Sequence, residues 1–377
     1  MTTALRNLTV LDFSRVLAGP LATMLLADLG ATVTKVERGG PGSHGDDTRE
    51  WGPPYDATGE ATYFQSVNRN KDSLVLDFGA PADLDRARAL AAQADVVVEN
   101  FRPGVMDRFG LGYADVRAVN PEVIYCSITG FGAGEGAALP GYDLLIQAVG
   151  GLMSITGPPD GEPQKAGVAV VDVLAGLFST VGILAALHHR AATGEGQHVE
   201  VNLLSTLLAA LANQSSAYTS GGAVPRRMGN AHASVAPYEL YRAADGELVL
   251  AVGNDRQFAA LCEVLGEPGL AEEERFTTNA ARVEHRDALK LQLERLLAPR
   301  AAGDWVEALS AVRVPAGEVH DIAGAFALAE RLGLDPIVSV PRRDGTVVRL
   351  PANPIRLSAT PVEYRSAPPA FVDPSAG

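Results

Sequence analysis

Residues 9–38 read TVLDFSRVLAGPLATMLLADLGATVTKVER. TVLDF at 9–13 is a short apolar strand, Leu21–Leu29 is a helical run, and TVTKV at 32–36 is again β-branched. A strand, a helix and a second strand in so short a stretch make a βαβ unit, whose two strands lie parallel. The alternation continues outward. Leu74–Phe78 reads as a strand, 80–93 as an alanine-rich helix, and Asp95–Val98 and Val123–Ile128 as two more strands. Right-handed crossovers then predict an α/β fold, a doubly wound Rossmann-like large domain with its sheet covered on both faces.

Beyond these strands, Val168–Val171 reads as a further strand, leading at Asp172 into a long apolar helix that ends near His188, His189 and Arg190. TGEGQ at 193–197 is a turn, and His198–Leu203 is a strand feeding a second apolar helix to about Ala217. Residues 220–229, rich in Gly, Pro and Arg, read as a linker. A smaller α+β unit follows, with a strand at Leu248–Val252 and helices at 257–265, 286–297 and 302–312. The expected division is therefore 1–219 for the large domain, 220–330 for linker and small domain, and 331–377 returning to the large domain.

Composition narrows the function. Thirty-one Lys and Arg stand against 45 Asp and Glu, a formal net charge of −14. That balance argues against nucleic acid, which needs clustered cations on one face. Only Cys126 and Cys262 are present, so neither a disulfide framework nor an all-thiolate zinc site is available. Adjacent His188 and His189 lack the i, i+4 spacing of a helical metal pair, and no metal is expected. The start MTTALRNLTVLDF lacks a basic, apolar, small-residue signal pattern. The single long apolar stretch, 166–187, carries Asp172, which is costly inside a bilayer. A cytoplasmic protein without a membrane partner is the expectation.

Signature loops are missing. SRVLAGP at 14–20 replaces a G-x-G-x-x-G after the first strand, and neither a P-loop nor a nucleophile elbow occurs. What remains is charge and one carboxylate. Arg15, Lys35, Arg38, Arg69, Lys71, Arg102 and Arg108 fall near strand ends, where open sheets bind ligands, and point to a phosphorylated ligand. Asp172 opens the apolar helix, a position where Asp serves as an ordinary N-cap. Flanked by apolar groups, it is also a candidate acyl nucleophile, with the amides of its own helix end as oxyanion donors.

The segments 10–37, NRNKDSLVLD (68–77), DVVVENFRPGVMDRFGLGY (95–113), GYDLLIQAVGGLMSITG (141–157), AGVAVVDVLAGL (166–177) and GEGQHVEVNLLST (194–206) together resemble the class III CoA-transferase family. That family includes formyl-CoA and carnitine CoA-transferases and is related to alpha-methylacyl-CoA racemase. The resemblance implies an interlocked, obligate homodimer, with no permanent cofactor and with coenzyme A thioesters and carboxylic acids as substrates. It implies that Asp172, in GVAVVD, is the nucleophile. It implies CoA contacts at Val16, Leu17, Ala18, Arg38, Asn70, Lys71, Asp72, Ser73, Asn100, Phe101 and Arg108. Leu17 stands where formyl-CoA transferase has a glutamine, and cannot hydrogen-bond a small polar acid. Tyr142 stands where the racemase branch has a histidine base, and a phenol is a poor base near neutrality. The stretch 226–258 resembles the branch using dicarboxylyl-CoA donors such as succinyl-CoA. Arg226, Arg227 or His232 would then hold the acid's distal carboxylate. Racemisation of 2-methylacyl-CoA, and a silent CoA-binding subunit, are the alternatives.

Overall fold

The computed structural model describes residues 3–372. They form two compact units, the first built from the chain through residue 152, 165–223 and 335 onward, the second from 153–164 and 224–334. In the first unit six strands form one parallel sheet: β1 (Thr9–Asp12), β2 (Thr32–Arg38), β3 (Lys71–Leu76), β4 (Val96–Glu99), β5 (Ile124–Thr129) and β6 (His198–Asn202), in the order β3-β2-β1-β4-β5-β6. The order reverses between β1 and β4, and at such a switch point a crevice opens beyond the carboxyl ends of the strands. Val10, Val33, Val96, Val98, Ile124 and Cys126 fill one face of this sheet with Leu26 and Ala27 of the Ala18–Asp28 helix. Phe13, Val97, Leu111 and Tyr125 pack on the other face.

The long apolar segment is one helix, Val170–Thr193. It is the one described helix long and apolar enough to cross a membrane. Val171, Ala175, Ile183 and Ala186 nevertheless pack in the first unit's core. The strand expected at Val168–Val171 does not form. The Val170 amide bonds to the Val168 carbonyl at 2.8 Å, and the sheet's outer place beside β5 goes to β6. The helix expected to run to Ala217 is broken at Ala212 (φ 44°), giving Leu203–Ala210 and Asn213–Thr219. β3 begins and ends earlier than the apolar pattern indicates. Its polar leading residues, Lys71 and Asp72, pair with Val33 and Thr34 of β2.

The second unit carries an antiparallel sheet of β7 (Tyr238–Arg242), β8 (Glu247–Ala251) and β9 (Ala316–Glu318). Tyr241, Leu248, Leu250, Phe258, Leu293 and Trp305 form its core. Residues 153–164, which the sequence reading leaves in the large domain, belong here. The Gly229 amide bonds to the Gly157 carbonyl at 3.1 Å, and Arg227 donates to the Pro158 and Gly161 carbonyls. The hairpin β10 (Ile337–Pro341) and β11 (Val347–Pro351) belongs to the first unit.

Candidate active site

The turn after β1 is held in a strained shape by buried charge. Val16 has φ 68°, a left-handed conformation that costs a β-branched residue on the order of 1–3 kcal/mol. Its amide points at the Asp46 carboxylate at 3.3 Å. Asp46 is fixed by Lys35 at 2.8 Å and by the Thr48 amide at 3.0 Å. Burial would push both titrations toward the neutral forms, yet the pair's mutual attraction wins, lowering the Asp46 carboxyl and raising the Lys35 ammonium. Below, Asp12 accepts from Lys71 at 3.1 Å and from Thr23 Oγ1 at 2.6 Å. Burial pushes Lys71 down to about 8 against the pull of Asp12. On the other side of the turn, Asn100 accepts from the Arg15 amide and donates to the Arg15 carbonyl, both at 2.8 Å.

Asp172 lies in the first turn of the Val170–Thr193 helix. One turn on, at i+4 and so on the same helix face, is Gly176. A β-carbon there would lie 2.7 Å from the Ala18 carbonyl oxygen. The glycine lets the two helices touch, and Asp172 lines the same cleft as Leu17 and Ala18. Asp143, opening the Asp143–Val149 helix, clamps the start of the Val170–Thr193 helix. Its Oδ1 accepts the Val171 amide at 2.8 Å and the Asp172 amide at 3.3 Å. Gln147 donates to Asp143 Oδ2 at 2.5 Å and accepts the Ala166 amide at 2.8 Å. Desolvation first, and the Asp143 charge second, push the Asp172 carboxyl up to about 7.

Two clefts meet at this turn. The first, about 460 Å³, is lined by Val16, Leu17, Ala18, Asn100, Phe101, Tyr142 and Asp172 among others. The second, about 500 Å³, has an apolar wall of Phe13, Val36, Leu76, Phe78 and Met106, with Arg38 and Arg108 also lining it. Phe78 meets Phe13 and Phe109 edge to face, with centroids 6.1 and 5.2 Å away. Arg15 and Phe101 line both clefts. An aromatic slot flanked by arginines suits a phosphorylated nucleotide, and a desolvated carboxylate in the adjoining cleft suits acyl chemistry.

The sequence model of CoA-transferase family III matches residues 5–372. The chain belongs to that family. It is 44% identical to a succinate–glutarate CoA-transferase of Agrobacterium fabrum, over 97% of this chain and 92% of the relative. It is 39% identical to the human succinyl-CoA:glutarate CoA-transferase, over 97% of this chain and 83% of that one. A CAIB/BAIF family protein from Brucella suis has the same fold, with TM-score 0.87 and 43% identity over 100% of this chain and 98% of that one.

Of the residues the family resemblance singles out, the structure brings Val16, Leu17, Ala18, Asn100, Phe101, Tyr142 and Asp172 to one cleft and Arg38 and Arg108 to the next. Asn70, Lys71, Asp72 and Ser73 stand elsewhere, at the amino end of β3. Asn70 ties Asp28 to the Glu363 carbonyl, both at 2.7 Å. Lys71 is wholly buried against Asp12. Ser73 donates to Glu37 at 2.6 Å, and Asp72 is exposed. The residues at the carboxyl end of β3, Leu76–Gly79, line the second cleft instead. Had β3 been ended at Leu76, the DFG that follows would have marked them. Lys35 and Arg69 also leave the expected cationic cluster. Lys35 pairs with Asp46, and Arg69 is buried against Asp28 at 2.6 Å.

The leading amides of the Asp172 helix, expected as oxyanion donors, are already engaged within the chain. Val170, Val171, Asp172 and Val173 all donate already, to Val168, Asp143, Asp143 and Ala169. The Leu17 N-cap of the facing helix makes no side-chain capping bond. Arg226, Arg227 and His232 lie in the second unit. Arg226 is exposed, whereas Arg227 holds Pro158 and Gly161, and His232 Nδ1 accepts the Ser234 amide at 3.0 Å.

Proposed function

We propose that this class III enzyme moves CoA from a dicarboxylyl-CoA such as succinyl-CoA to a second carboxylic acid, through covalent intermediates on Asp172. The observation that supports the reading is Asp172 itself, half-buried, apolar-flanked and lining one cleft with the Val16–Ala18 turn. The Asp172 carboxylate attacks the thioester carbonyl, and the C–S bond breaks with CoA leaving as thiolate. The thiolate attacks the aspartyl carbonyl of the mixed anhydride, releasing the donor carboxylate and leaving an aspartyl-CoA thioester. The acceptor carboxylate attacks that thioester, forming a second anhydride and freeing the thiolate. The thiolate then takes the new acyl group, and the Asp172 carboxylate returns. No proton is consumed at any step. The leading amides at Leu17 and Ala18 supply donors at a helix N-terminus for the developing oxyanions.

Succinyl-CoA as donor and glutarate as acceptor are the first pair to test, since the names of the relatives carry them. CoA enters as substrate and leaves as product. We further propose an interlocked homodimer. In the first unit Leu144, Leu145, Val149, Leu177, Phe178, Val181 and Leu208 are exposed apolar side chains, a set that a second copy would cover. A cytoplasmic location fits the two buried free thiols. The test is transfer from succinyl-CoA to pooled acids, read as new thioesters by mass spectrometry. New thioesters support the reading. Deuterium uptake at the alpha carbon without transfer would favour racemisation, and CoA binding without turnover a silent subunit.

A further inference from the structure

Arg15 places a cation where the two clefts join. Asn100 bonds its backbone on both sides, and its guanidinium lies over the Phe101 ring, 4.8 Å from the centroid. That stacking fixes the direction of the fork. The guanidinium makes no ion pair and no hydrogen bond among the described residues. Asp46 and Asp47 act on it through space, and so does the like charge of Arg38. Asp46 is committed to Lys35 and Thr48. Two neighbouring guanidinium groups beside one crevice repel each other until an anion lies between them.

Position decides which anion. Arg38 and Arg108 line only the aromatic cleft, whereas Arg15 lines that cleft and the one holding Asp172. A CoA thioester with its adenosine in the former and its acyl group in the latter has its diphosphate between the two. Resting on the proposed function, we infer that Arg15 binds the diphosphate of the CoA substrate, with Phe101 as the platform that presents it.

Binding calorimetry with CoA, 3′-dephospho-CoA, ADP and 3′-AMP separates the sources of phosphate. Arg15→Gln is expected to weaken the three diphosphates alike, by about tenfold to a hundredfold, and to leave 3′-AMP unchanged. Arg15→Lys, which keeps the charge and loses the fork, is expected to fall between and carries the test should the Gln variant fail to fold. Unchanged CoA binding in both variants overturns the inference alone. A loss for CoA and 3′-AMP but not for 3′-dephospho-CoA moves Arg15 to the 3′-phosphate and overturns it. An equal loss for all four means a damaged cleft and overturns it too. A wild type that binds no CoA overturns the proposed function with it.

Discussion

The Asp172 amide donates to Asp143 Oδ1 at 3.3 Å, so two carboxylates share one helix end. One terminates the helix, and the other is held beside it under a like charge. The arrangement makes Asp172 a poor resting anion, which in the proposed mechanism makes it a better nucleophile once ionised.

In the proposed mechanism Asp172 attacks as carboxylate, and burial, with the Asp143 charge second, pushes its carboxyl up to about 7. The pH profile of kcat/KM is therefore expected to rise from pH 5 to 8 with a midpoint near 7. Asp143→Asn keeps an acceptor for the amides and removes the charge, so the midpoint should move to lower pH. A midpoint that stays put in the Asn variant would show that the Asp143 charge does not set it.

The same shift has a consequence for stability. A carboxyl whose folded value lies above its unfolded value binds its proton more readily in the folded state. Its contribution is then lost as pH rises from the unfolded value of 3.8 through about 7. Asp172→Asn should melt at a higher temperature than wild type, with a gap that widens from pH 5 to pH 8. Melting curves across that range check it. An equal or narrowing gap would contradict the raised value.

Gly176 sets how closely the Asp172 helix packs on the Ala18 turn. Gly176→Ala places a carbon 2.7 Å from the Ala18 carbonyl and must push the helices apart. The expected cost is on the order of 1–3 kcal/mol, with a loss in kcat that exceeds any change in CoA affinity. Denaturant unfolding and steady-state kinetics measure both. A variant with wild-type kcat would mean that the spacing is not catalytic.

Much of this was legible in the sequence, for stated physical reasons. The β-branched runs at 32–36 and 95–98 had to be buried strands, and the spacing between strands allowed parallel pairing. GVAVVD marked Asp172, though its valines looked like a strand because a helix start buried in the core is apolar in the same way. β3 was misplaced because Lys71 and Asp72 are polar. Lys71 is satisfied by Asp12, a partner 59 residues away that no local pattern shows. The Asp143 clamp has the same character, since its amides belong to a helix 28 residues further on.

Lys71 itself makes a structural prediction. Its side chain and that of Asp12 are both wholly buried. Lys71→Met leaves Asp12 without its cation and should cost about 3–5 kcal/mol. Because Lys71 touches neither cleft's ligand in this account, kcat of the folded fraction should stay near wild type. A large kcat loss with unchanged stability would return Lys71 to the CoA site.

The proposed bond between Asp172 and the substrate can be trapped directly. The enzyme is mixed with succinyl-CoA, quenched with hydroxylamine and digested, and the peptide bearing residue 172 is weighed by mass spectrometry. An aspartyl hydroxamate is expected on that residue, formed only when acyl-CoA is present. An unmodified Asp172 peptide from an enzyme that turns over in the same tube would contradict it.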